Sequence, residues 1–191
     1  MKVLIGIGGK KRSGKSTLAN FLMKEAALKG WDSEIVSFAD PIKFMMQEVF
    51  RYEVSHNTFL DDLRKQDPIK IAPDCTLTVR EILQKVGTEC FRDIIHKDFW
   101  IHRGMAKIDS SSANVVIVPD VRFGNELEAL KKKIGVTVYI ERPDLSDVVD
   151  KHPSEMELEE IKNDFDIQWV NWRDEIEDLR YFAHDLIKRV W

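Results

Sequence analysis

Cysteine is scarce: Cys75 and Cys90 are the only two in 191 residues. Two thiols are too few for a disulfide framework, and neither belongs to a pair at metal-binding spacing. Both read as small buried hydrophobes, in a chain suited to a reducing cytoplasm. Long hydrophobic runs are missing as well. No apolar stretch approaches the ~20 residues that a membrane helix needs, so no membrane association is expected. Met1-Lys2-Val3 leads straight into a strand-like segment with no cleavage-site signature, and no signal peptide is expected. There is no internal repeat and no low-complexity segment. A positive surplus is lacking too: the net charge is −4, and from Arg142 to the end 7 Lys and Arg stand against 14 Asp and Glu. That acidic segment is a poor surface for a nucleic-acid backbone, so no nucleic-acid partner is expected. The first 141 residues hold 22 against 19, a modest basic excess that suits a small anionic ligand. What remains is 43% hydrophobic and 32% charged. This is the composition of a soluble globular chain, one domain with room for inserted subdomains and a real core.

The most informative stretch that is present is Gly9-Lys10-Lys11-Arg12-Ser13-Gly14-Lys15-Ser16, followed by Thr17. Two glycines five positions apart, with Lys-Ser after the second, make the phosphate-binding loop pattern. The apolar run Lys2 to Gly8 supplies the preceding strand, and Ala19, Leu22, Met23, Ala26 and Ala27 fall at helical spacing after it. In such a loop the backbone N–H groups converge on the β-phosphate at the positive end of the following helix. Lys15 is expected on the β- and γ-phosphates and the Ser16 hydroxyl on Mg²⁺. The plainer alternative is a Gly- and Lys-rich surface turn, which the flanking strand and helix argue against.

Gly30 marks the end of that helix, and Ser33 to Phe38 reads as a second strand. Asp40 then caps a helix with Pro41 at its first position. Because Asp40 stands at the carboxyl end of a strand, it is also a candidate for facing the phosphates. Arg51 to Thr76 has weak periodicity and many charges, and is expected to be a mobile segment with a short helix around Thr58 to Gln66. Thr78 and Glu81 form a capping box that opens a helix carrying Ile82, Leu83 and Val86, with Phe91, Ile94 and Ile95 continuing the apolar stripe. Asp109 to Asn114 reads as a loop. Val115 to Asp120 makes a third strand ending in an acid, where an Asp commonly holds a water of the Mg²⁺ shell. Arg122 follows at the same end of the sheet. A helix from Asn125 to Lys133 and a strand from Thr137 to Glu141 complete another alternating unit. Arg142 to Phe165 is acidic and rich in turn residues, with a capping box at Ser154 and Glu157 and an ordinary loop histidine at His152. A fifth strand, Asp166 to Asn171, and a helix over Arg173 to Val190 close the chain.

These landmarks resemble the bacteriophage deoxynucleoside monophosphate kinases, a branch of the P-loop nucleoside monophosphate kinase superfamily. The likeness is carried by Gly9 to Ser16, Phe38-Ala-Asp-Pro-Ile-Lys43, Leu83-Gln-Lys-Val-Gly-Thr-Glu89 with Arg92 and Trp100, and Val118-Pro-Asp-Val-Arg-Phe-Gly-Asn-Glu126. Arg142-Pro143 and His152-Pro-Ser-Glu155 extend it. The resemblance implies an α/β/α P-loop fold with a five-stranded parallel sheet in one domain. Its core would comprise residues 1–40, 115–141 and 166–191, with an acceptor-binding helical insertion at about 41–114 and a lid at about 142–165. It implies transfer of the ATP γ-phosphoryl group to a deoxynucleoside monophosphate, in the cytoplasm of an infected bacterial host, and leaves room for a homodimer.

On this reading Gly9, Lys10, Lys11, Arg12, Ser13, Gly14, Lys15, Ser16 and Thr17 bind ATP, and Ser16 with Asp120 holds Mg²⁺. Lys15, Arg122, Asp40, Arg12 and Arg142 surround the transferred group. Asp40, Lys43, Arg80, Gln84, Thr88, Arg92, Trp100, Arg122 and Glu126 face the acceptor nucleotide. Plainer roles stay open beside these: Arg92 pairing with Glu89, Trp100 as core. Two rival functions are a same-fold kinase for another small acceptor, of the dephospho-coenzyme A or phosphomevalonate type, and an ATP-hydrolysing switch with a protein partner.

Overall fold

The computed structural model describes residues 2–133, 135–143, 153–172 and 176–190. Strand β1 (Val3–Gly9) is buried along its whole length, as a strand covered on both faces must be. It pairs in parallel with β5 (Val115–Val121) on one side and β6 (Val136–Glu141) on the other. Beyond β5 lies β2 (Ser33–Ile35) and beyond β6 lies β7 (Ile167–Val170), giving the order β2-β5-β1-β6-β7. This is the expected five-stranded parallel sheet. Strand β2 is shorter than Ser33 to Phe38, and one further bond, Val36 N–H to the Ile117 carbonyl at 2.9 Å, carries the chain to its turn.

Side-chain alternation along β1 separates two layers. Val3, Ile5 and Ile7 join the cluster formed with α1 (Lys15–Leu28) and α7 (Ile176–Arg189), through Leu18, Leu22, Ala26, Leu179, Leu186 and Ile187. Each such leucine or isoleucine contributes roughly 1.5–3 kcal/mol of burial free energy. On the other face Gly6 and Gly8 have no side chain, and a Cβ there would lie 2.7 Å from Leu130 and 2.3 Å from Phe165. Leu130 belongs to α5 (Gly124–Lys132) and so comes down onto the strand itself. Gly30 ends α1 as foreseen, with φ +72°, its N–H on Ala27 and that of Trp31 on Ala26. These two bonds are the Schellman pattern that satisfies the last carbonyls of a helix.

The chain divides into two compact units, Met1–Ser37 with Gly104–Trp191, and Phe38–Arg103. The second contains α2 (Asp40–Val49), a hairpin of β3 (Pro68–Ala72) and β4 (Cys75–Thr78), α3 (Val79–Gln84), a π-helical run Lys85–Ile95, and the start of α4 (Phe99–Ser110). Its core is Ile42, Met46, Phe59, Ile69, Val79 and Ile82. The capping box at Thr78 and Glu81 is present.

Several expectations need correction. Arg51 to Thr76 holds an antiparallel hairpin, and its only helix is the three-residue 3₁₀ turn Asp62–Arg64. The hairpin escapes a periodicity reading because Ile69 is the only buried residue of β3. Asp40 is not the cap of α2; Ala39 is, and Asp40 is the first helical residue. Its charge still complements the helix dipole there. Ile94 and Ile95 are 78% and 57% exposed. In a π-helix each residue advances through a smaller angle, so a stripe extrapolated at α-helical spacing leaves the core. Cys90 is exposed rather than buried. Asp109 and Ser110 belong to α4, not to a loop.

In the acidic stretch, α6 spans Pro153–Glu160 and a 3₁₀ turn follows at Lys162–Asp164. His152, the Ser154 side chain and Arg173 lie outside the described residues. Among the described residues no helix is long and apolar enough to cross a membrane.

Candidate functional site

The loop from Gly9 to Thr17 leaves the carboxyl end of the central strand, where open α/β sheets bind their ligands. Its shape depends on three residues with positive φ: Gly9 at φ +144°, Arg12 at +63° and Gly14 at +108°. Glycine is required at the first and last. A Cβ on Gly9 would sit 2.5 Å from the Ile140 carbonyl oxygen, and one on Gly14 would sit 2.7 Å from Asn171 Nδ2. Gly14 is also the N-cap of α1, and no side chain caps that end. Helix N-termini of this kind leave amides directed outward, the arrangement that binds anions.

Inside the loop, Lys15 Nζ donates to the carbonyls of Gly9 at 2.5 Å and Lys10 at 2.6 Å. The ammonium is thus folded back over the loop that it is expected to serve. Ser13 is fully buried, and its hydroxyl has no hydrogen-bond partner among the described residues. Two residues just beyond the carboxyl ends of β6 and β7 hold the loop from outside. Asn171 Nδ2 donates to the Ser13 carbonyl at 2.7 Å, and Arg142 Nη1 donates to that of Arg12 at 3.1 Å. A cleft of about 320 Å³ is lined by Arg12 to Thr17 together with Arg142, Asn171, Ile176 and Leu179. Asn171, Ile176 and Leu179 are not among the site residues expected from the sequence. Only their position, at the carboxyl end of an outer strand and the start of the last helix, could have flagged them.

Asp120 lies near the carboxyl end of β5 and is half-buried, with its carboxylate accepting from the Ser37 hydroxyl. Arg122, just beyond, is surrounded by acids. Its Nη1 donates to Glu155, whose side chain is only 7% exposed, and Asp120 and Glu126 add attraction. Burial by itself would lower the guanidinium pKa, but these three carboxylates outweigh it and raise it, so Arg122 stays charged. Glu126 is buried and its Oε2 accepts from the backbone N–H groups of Arg122 at 2.8 Å and Phe123 at 3.2 Å. It thereby caps α5. Helix α6 brings two more acids to the same unit: Glu157 accepts from the Gly124 N–H at 2.9 Å, and Glu159 pairs with Lys10 at 3.0 Å. Glu159 is held below its ordinary pKa, first by Lys162 and then, against the opposing effect of burial, by Lys10. Burial, with Glu159, Glu141 and Glu155 nearby, pushes the Tyr139 hydroxyl upward, so it remains a neutral phenol.

The remaining candidates belong to the second unit. Gln84 ends α3, and Thr88 and Arg92 lie along the π-helical run, Thr88 buried and Arg92 half-buried. Arg92 Nη1 donates to the Lys97 carbonyl at 3.1 Å, while Glu89 is paired with Lys85 at 3.5 Å. Trp100 packs on Phe91 and Phe99, with centroids 4.9 and 4.8 Å away, and its indole N–H donates to the Gly87 carbonyl at 2.8 Å. It adjoins the hydrophobic cluster of this unit. The Arg80 backbone N–H donates to the Lys65 carbonyl. Asp40 and Lys43 are half-buried in the first turn of α2.

A family model described as deoxynucleotide monophosphate kinase matches residues 64–181. That range contains the Leu83–Glu89 and Val118–Glu126 segments and excludes the phosphate loop. A protein of Acanthamoeba polyphaga mimivirus named for deoxynucleotide monophosphate kinase activity is 35% identical over 180 residues, covering 88% of each chain. The deoxynucleoside-5'-monophosphate kinase of Escherichia phage T5 is 36% identical over 56 residues, 29% of this chain and 22% of its own. Among solved structures, the APS kinase CysC of Mycobacterium tuberculosis in complex with AMPPNP and APS aligns over 98% of both chains, at 12% identity and a TM-score of 0.49.

Proposed function

The chain belongs to the deoxynucleotide monophosphate kinase family, and from that premise we propose how its residues divide the work. The activity is transfer of a phosphoryl group from ATP to a deoxynucleoside monophosphate, giving the diphosphate and ADP. The attacking oxygen belongs to an ionised phosphate, so no strong general base is required. Catalysis then consists of alignment, charge neutralisation and exclusion of water.

The phosphate loop is the donor site. Its supporting observation is the cradle itself: two glycines whose Cβ positions are already filled by Ile140 and Asn171, an uncapped helix start, and Lys15 folded over the opening. The loop amides would hold the β-phosphate, and Lys15 would exchange its carbonyl partners for phosphate oxygens. Ser16, exposed at the start of α1, and Asp120 present the oxygen donors that Mg²⁺ prefers. When bound, the ion supplies neutralisation of phosphate charge. Arg122 is assigned to the acceptor phosphate or the group in transfer, with Arg12 and Arg142 beside the donor phosphates. The unit Phe38–Arg103 is read as the acceptor-binding insertion, with Gln84 toward the base, Arg92 toward the phosphate, and Asp40, Lys43, Arg80 and Thr88 around them. For Trp100 and Glu126 the contacts above favour support over direct contact. Trp100 braces the π-helical run, and Glu126 shapes the backbone at Arg122.

The experiment is ADP production from ATP·Mg²⁺ with a panel of nucleoside and deoxynucleoside monophosphates. Stimulation by one or more deoxynucleoside monophosphates is expected. Turnover indifferent to all of them would refute the assignment.

A further inference from the structure

We propose that Asn171 is a positioning residue for the phosphate-binding loop: by holding the Ser13 carbonyl it turns the Gly14 N–H toward the phosphates of ATP. The inference rests on the reading of Gly9 to Thr17 as the donor site. The Ser13 carbonyl and the Gly14 N–H belong to one peptide group, and in a trans peptide they point in opposite directions. No cis peptide occurs among the described residues. Whatever fixes one therefore aims the other.

Asn171 Nδ2 donates to the Ser13 carbonyl at 2.7 Å in a buried bond, and Asn171 is 8% exposed. A carbonyl can only accept, so the amide nitrogen must be the atom that faces it. Asn171 is itself held by the sheet. Its backbone N–H donates to the Glu141 carbonyl at 2.8 Å, continuing the ladder in which Glu141 pairs with Val170. The position of β7 is thereby relayed to a loop that leaves β1, two places away in the sheet. Gly14 is needed at the contact, since its missing Cβ is the space that Asn171 Nδ2 and Leu179 occupy. Without the amide, the Ser13–Gly14 peptide could rotate and present an oxygen to the phosphates where an N–H is required. The loop would still be a loop, but its dipoles would no longer be preorganised for an anion.

Asn171→Asp keeps the shape, removes the donor and sets two acceptors against each other. The KM for ATP is expected to rise by about tenfold or more, the KM for the deoxynucleoside monophosphate to stay within about twofold, and the unfolding midpoint to hold. Relative to wild type, the loss should shrink as pH falls from about 8 to about 5.5, because a protonated carboxyl can donate again and burial raises its pKa. A role in packing alone would show no such recovery. An ATP KM near the wild-type value at the higher pH, or equal rises in both KM values, overturns the inference. Should that variant not fold, equilibrium binding of ADP to Asn171→Ala decides: weakening of about fivefold or more supports the role and unchanged affinity removes it. Lys15→Ala is measured alongside. If it leaves kcat/KM for ATP unaltered, the donor-site reading itself fails; if it lowers kcat/KM and the Asn171 variants do not raise the ATP KM, only the role of Asn171 falls.

Discussion

The two compact units present their candidate residues by different means. In the first, backbone does most of the work: a central strand delivers a glycine-bearing loop to the start of α1, and Asn171 and Arg142 hold two of its carbonyls from outside. In the second, side chains on an irregular helix do it, with Thr88 and Arg92 set along the π-helical run Lys85–Ile95 and Trp100 bracing Gly87. A backbone site is specified by glycines and chain order, so it survives replacement of most side chains around it. A side-chain site on a π-helix is specified by helical phase, and depends on the packing that holds that phase in place.

The comparison can be broken most sharply at Lys15. Lys15→Ala removes the one side chain that the backbone site cannot replace, and kcat/KM is expected to fall by about a hundredfold or more, roughly 3 kcal/mol of transition-state stabilisation. The unfolding midpoint should be unchanged. A variant with near wild-type turnover would show that the loop is not the donor site.

Arg122 tests whether a cation proposed for the transferred phosphoryl group can also be structural. Arg122→Ala leaves the buried Glu155 without its guanidinium, and should cost about 3 kcal/mol of unfolding free energy in a urea titration. Arg122→Met combined with Glu155→Leu should recover most of that stability without recovering turnover. Recovery of both would assign Arg122 to the fold alone.

The smallest effect on turnover is expected in the second unit. The Arg92 bond to the Lys97 carbonyl is exposed, so Arg92→Ala should cost under about 1 kcal/mol of stability. If Arg92 meets the acceptor phosphate, turnover nonetheless falls by about tenfold or more. A folded variant at the wild-type rate would remove it from the acceptor site and leave this unit to be searched again.

Legibility in the sequence followed the same division. The loop, the parallel strands and the capping box at Thr78 were readable because each depends on neighbours in the chain. The β3–β4 hairpin was not, since a strand with one buried residue has no alternation to detect. Ile94 and Ile95 leave the apolar stripe that α-helical spacing predicts for them, because π-helical winding has no signature in residue periodicity. Asn171 could be placed at a strand end but not on a loop 158 residues away. Glu155 stood in the sequence only as the end of the His152 to Glu155 segment, with no role attached, yet it is the acid that bonds the Arg122 guanidinium.

By itself, then, the order of residues determined the fold class, the glycine-bearing loop between β1 and α1 and the family, because these rest on local conformation and on matched segments. Tertiary structure alone decided which carbonyls of the loop are held, which acid faces Arg122 and how the helix after Gln84 is wound. Those outcomes are set by contacts between residues far apart in sequence, whose free energies exist only once the sheet has brought the ends of its strands together.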